Sequence, residues 1–82
     1  EQFETGMMAG PSGHDAGKVY VITKVEEAYV YLVDGKVRTL DKPKKKKKKH
    51  VQLIKESFDI QGATDVDIKR WIKIWNKEDN QN

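Results

Sequence analysis

Eighty-two residues weighing 9.5 kDa, 37% of them apolar and 9% aromatic, describe one small domain with a thin core, too small to enclose a deep substrate cavity. With no cysteine, disulfides, thiolate nucleophiles and cysteine-based zinc sites are excluded. The net charge of +3 hides its own distribution: residues 1–40 carry −2, residues 51–82 carry −1, and the decapeptide at 41–50 carries +6.

No apolar run approaches the ~20 residues a membrane-spanning helix needs, and the N-terminus lacks the basic-then-apolar layout of a secretion signal. A soluble protein in the cytoplasm, with no membrane partner, is the expectation. A start at Glu1 rather than Met suggests processing or trimming.

In chain order, four β-branched segments bounded by turn residues read as strands. The first, residues 3–9, is weak. Residues 18–25 (KVYVITKV) and 28–33 (AYVYLV) are strong, and Glu26-Glu27 makes a tight polar connection between them. Asp34-Gly35 then accepts positive φ at a two-residue hairpin corner, which makes residues 36–40 the return strand. Residues 50–54 (HVQLI) read as a short fifth strand. In residues 28–33 both alternating faces, Ala28/Val30/Leu32 and Tyr29/Tyr31/Val33, are apolar, so the strands are expected to curl into a small five-stranded barrel.

Thr64 followed by Asp67 resembles a capping box, and Ile68, Trp71, Ile72 and Trp75 follow at helical spacing. This predicts one C-terminal amphipathic helix that docks its stripe on the barrel or on a partner. The expected division is a barrel over 1–55 including a basic loop at 41–50, a linker at 56–63, the helix at 64–77 and a disordered tail at 78–82.

Catalytic signatures are missing. Position 12 is Ser where a phosphate-cradling loop needs Gly, and Val19 stands where a magnesium-binding Ser or Thr belongs. His14-Asp15 has no nucleophile nearby, and the two histidines lack metal-ligand spacing. No enzyme activity, metal, cofactor or small-molecule substrate is expected.

The decapeptide is Asp41-Lys42-Pro43 followed by Lys44, Lys45, Lys46, Lys47, Lys48, Lys49 and His50. In an extended segment, side chains two apart lie ~6.6 Å from one another, inside the ~8 Å screening length of physiological salt, so the ammonium groups repel. A polyanion relieves that repulsion and sheds counterions as it binds. Lysine is a mobile point charge rather than a bidentate fork, so the run attracts without specifying sequence. A solvated loop without a partner and a nuclear-localisation signal are the other readings of such a run. Tyr20, Tyr29 and Tyr31 are candidates for base stacking, although strand packing is their first expected role.

Gly13-His14-Asp15-Ala16-Gly17-Lys18, followed by an apolar strand, resembles the KOW motif. With Asp34-Gly35 and the Lys-rich segment ending in His50-Val51, residues 3–55 resemble the family of the archaeal and eukaryotic large-subunit ribosomal protein fourteen-e and its small bacterial KOW-domain relatives. The resemblance implies an SH3-like barrel that binds RNA, commonly ribosomal RNA. Gly17 takes the place of the motif glycine, Lys18 that of the basic residue after it, and Gly13, Asp34 and Gly35 form the structural turns. His14 departs from the family's Arg, which weakens the loop's phosphate contact.

The leading expectation is therefore a monomeric RNA-binding module, ribosome-associated or acting on structured RNA, using Lys18, Lys42, Lys44 to Lys49, His14 and His50. The alternatives are a protein-interaction adaptor using edge strands or the Trp71/Trp75 helix, and a DNA-binding protein sharing the basic segment.

Overall fold

In a computed structural model, which describes residues 2–12 and 18–79, the β-branched segments form an antiparallel sheet and the stripe after Thr64 forms a helix. The strands are β1 (Met7–Pro11), β2 (Tyr20–Val25), β3 (Tyr29–Val33), β4 (Lys44–Lys47) and β5 (Val51–Ser57), and the helix is α1 (Asp65–Asp79). Across the sheet the order is β4-β3-β2-β1-β5. It is an open sheet, mainly β with one C-terminal helix, and β4 and β5 are its two edges among the described residues.

Those two edges are consecutive in sequence, joined only by a 3-10 turn, Lys48–His50. Flat, five strands would set the edges four spacings of ~4.8 Å apart, roughly 19 Å. Three residues of 3-10 geometry rise only about 6 Å. The sheet must therefore curl until its edges approach. Backbone bonds pin the curl at both ends of the connection: Lys48 N–H donates to the Ala28 carbonyl at 2.9 Å, and Ser12 N–H donates to the His50 carbonyl at 3.0 Å.

Curling gives each face a different cover. On one face Ala9, Tyr20, Ile22, Val30, Leu32 and Val51 are buried, with Met7 and Leu53 against them. The buried set is made of strand residues, and Phe3 from the segment before β1 packs against it, so the curled sheet and that segment close this core. The other face buries Met8, Val19, Val21 and Val33 under Ile68 and Ile72 of α1. The helix thus docks on its own sheet through the isoleucines. Trp71 and Trp75 sit half-buried at the margin, where Trp71 stacks on Phe58 at 4.8 Å and 7°.

The sequence reading needs several corrections. The return strand expected at 36–40 is a turn, because Asp34 Oδ1 accepts the backbone N–H groups of Lys36 and Arg38, each at 2.9 Å, and bends the chain. The strand that pairs with β3 is instead β4, inside the expected basic loop. The first strand starts at Met7 rather than Phe3, and β5 runs into the expected linker, to Ser57. Thr64 caps the helix, which starts at Asp65 and continues through Asp79 into the expected tail.

At the bend, Gly35 has φ +79° and lies against the helix, where a Cβ would meet the Asp65 carbonyl oxygen and Lys69 N. Leu40 N–H also donates to Asp65 Oδ1 at 2.8 Å, so the bend and the helix N-terminus lock together. Gly62 has φ +76° with nothing nearby. Gly35→Ala is expected to cost more than about 2 kcal/mol and Gly62→Ala about 1 kcal/mol, measured as urea-unfolding free energies.

The cap is reciprocal: Thr64 N–H donates to Asp67 Oδ2 at 3.0 Å, and Asp67 N–H donates to Thr64 Oγ1 at 3.2 Å. The backbone hydrogen bond from Thr64, more than its hydroxyl or the Arg70 charge, holds the Asp67 carboxyl below the usual aspartate value. A lowered folded-state pKa adds stability above the unfolded value of 3.8 that disappears as pH falls through the folded one. Helical circular dichroism between pH 5 and 2 should therefore fall more steeply for the natural protein than for Asp67→Asn.

Candidate nucleic-acid interface

Four consecutive lysines make a poor strand by intrinsic preference. What holds them extended is their partner. β4 pairs with β3 so that Lys44 faces Leu32, Lys45 faces Tyr31, Lys46 faces Val30 and Lys47 faces Tyr29. Pairing with an apolar, aromatic strand lets each lysine lay its methylenes on the sheet while its ammonium reaches water. Exposure alternates accordingly: Lys44 and Lys46 are half-buried, Lys45 and Lys47 exposed.

Aromatic rings receive the ammonium groups. Lys45 Nζ lies 4.5 Å from the Tyr29 ring centroid and 5.9 Å from that of Tyr31, whose ring also has Lys24 Nζ at 5.2 Å. Lys44 Nζ is 5.7 Å from the Tyr20 ring and Lys48 Nζ 5.7 Å from Phe3. Each such contact contributes roughly 0.5–1 kcal/mol at an exposed site, which offsets part of the repulsion along the strand. The Tyr31 hydroxyl donates to Glu26 Oε1 at 3.3 Å, and Glu26 Oε2 lies 3.6 Å from Lys24 Nζ, so the ring is fixed from both sides.

Lys44, Lys45, Lys46 and Lys47 are thus gathered on one edge strand, continued by Lys48, Lys49 and His50 in the 3-10 turn, with Lys49 and His50 exposed. Lys42 stands apart in an isolated bridge with Thr39, its N–H donating to the Thr39 carbonyl at 3.0 Å. Lys18 lies at the start of β2, in a cleft that it shares with Lys44 but not with the rest of the run. Asp34 and Gly35 form the bend against α1. Gly13, His14 and Gly17 of the KOW-like segment fall outside the described residues.

Of the stacking candidates, Tyr20 is buried, while Tyr29 and Tyr31 are half-buried beside the lysines. Lys24 was not singled out by sequence, because its place over Tyr31 depends on a register shift between Ile22 and Lys24 in β2. Among the described residues no cluster of His, Asp or Glu could hold a metal ion, and no helix is long and apolar enough to cross a membrane. Compared with family models and with curated proteins, the chain has no match among either.

Like charges two residues apart on a fixed strand repel at all times, so added salt should stabilise the fold. The unfolding free energy from urea titration is expected to rise between 20 and 500 mM NaCl, by a few tenths of a kcal/mol for each like-charged pair. Lys45→Gln with Lys47→Gln should flatten that rise.

Proposed function

We propose that this chain is an RNA-binding module, a small KOW-type, SH3-like domain that contacts the sugar–phosphate backbone through the lysines of β4 and the turn after it. The observation that carries the reading is the edge position of β4: β3 holds its lysines in a row, with Lys45 and Lys47 exposed. A row of ammonium groups on an open edge is electrostatically matched to a chain of phosphates and blind to base identity. Tyr29 and Tyr31 of β3, half-buried beside that row, offer ring faces to unpaired bases once Lys45 turns from them to a phosphate.

The strand order supports the SH3-like part of the reading. A five-stranded sheet whose first strand sits between the second and the fifth, and whose fourth and fifth are linked by one 3-10 turn, has the connectivity of a small, partly open barrel. Ribosomal RNA is the proposed target and the cytoplasm the proposed location, both resting on the resemblance of residues 3–55. RNA is favoured over a protein partner because the Trp71 ring is already stacked on Phe58 and the helix stripe is already docked.

Titration of RNA binding against salt tests the mechanism. With four to seven lysines on phosphates of single-stranded RNA, log K is expected to fall against log salt with a slope of about −3 to −5. Conversion of Lys44 through Lys49 to Gln should remove most of that slope. A slope near zero, or binding unchanged in that variant, rejects the reading.

A further inference from the structure

Away from the outer edge of β4, a cleft of about 680 Å³ opens between the start of β2, the bend at residues 34–38 and α1. Six cations line it: Lys18, Lys36, Arg38, Lys44, Lys69 and Lys73. Among the described residues the single acidic group on its wall is Asp34, and Oδ1 of that carboxylate is already engaged by the backbone N–H groups of Lys36 and Arg38. Among the described residues, none of Lys18, Lys36, Arg38, Lys69 and Lys73 is in a salt bridge. Such a concentration of one sign of charge between protein walls focuses the field and gathers anions.

The cations come from four separate stretches of chain, brought together by two devices. Gly35 lets the bend approach the helix closely enough to present Lys36 and Arg38 beside Lys69. The helical spacing that buries Ile68 and Ile72 sends Lys69 and Lys73, four apart, along one flank of α1 towards the cleft. The floor is apolar, with Val19, Tyr20 and Ile72. On the rim stands Val37, 80% exposed between two cations. An apolar side chain held out among charges fits a ligand that has both anionic groups and flat apolar faces.

We infer that this cleft is a second nucleic-acid subsite, in which a single strand lays its phosphates on Arg38, Lys69 and Lys73 and a base against Val37. The inference rests on the RNA-binding reading above and deepens it. Lys44 makes the two sites continuous, because it begins β4 and also lines the cleft. One strand can therefore run from the lysine edge into the cleft without leaving positive potential. The shared chemistry, phosphate beside an aromatic base, is also that of a free nucleotide.

The test compares two variants of the full chain against fluorescently labelled single-stranded RNA of 20 nucleotides, with ATP as the free-nucleotide probe. The cleft variant is Arg38→Gln, Lys69→Gln and Lys73→Gln; the edge variant is Lys45→Gln, Lys46→Gln and Lys47→Gln. Three lost phosphate contacts should reduce the salt slope of the cleft variant by about 2 and weaken binding roughly tenfold or more at 100 mM salt. In the unmodified protein, amide NMR signals of Val37, Lys69 and Lys73 should shift as RNA is added, a readout that needs no variant to fold. Wild-type binding by the cleft variant with loss in the edge variant overturns the subsite and leaves the RNA reading standing. No RNA binding by the unmodified protein overturns both. ATP that shifts the Val37, Lys69 and Lys73 signals at micromolar concentration and is not displaced by RNA overturns the strand assignment in favour of a nucleotide site.

Discussion

Three residues join the two edges of the sheet, and the architecture follows from that short connection. Because Lys48–His50 cannot bridge the width of a flat five-stranded sheet, the sheet curls, and a chain too small for two layers acquires two cores. Strand residues, with Phe3 packed against them, seal the inner one. The outer one needs a single cover, which explains why a helix with only Ile68 and Ile72 fully committed to the sheet suffices. The same connection forces the lysines beside it into register with β3, so the chain's charge is concentrated by the device that shapes its core.

Much of this was legible in the sequence, and the exceptions have physical causes. The strands at β2 and β3 were readable from alternation, and the helix from its isoleucine and tryptophan spacing and its Thr64 cap. Gly35 announced a backbone that requires positive φ. The return strand was misplaced because Val37 and Leu40 looked like strand residues. Asp34 instead spends its carboxylate on two backbone N–H groups and bends the chain, leaving Val37 80% exposed. β4 was hidden by composition: lysine is disfavoured in strands, and only Tyr29 and Tyr31 across the ladder make the extended form favourable.

The candidate interface divides along the same line. A contiguous run such as Lys44 through Lys49 is visible to anyone who counts charges. Its anchoring on rings is not, since Phe3, Tyr20, Tyr29 and Tyr31 all lie on earlier stretches of chain, outside the run itself. The basic cleft is still less visible, because its cations are scattered from Lys18 to Lys73 among acidic neighbours that lower the local average. Only folding separates the two signs.

An edge strand is a template on which a second sheet can grow. Here the template bears four consecutive lysines, and any copy of β4 approaching it brings four more. The run therefore opposes edge-to-edge assembly for as long as its charge persists. Acetylation or dense counterion coating would remove that protection, so the segment also governs the molecule's colloidal behaviour.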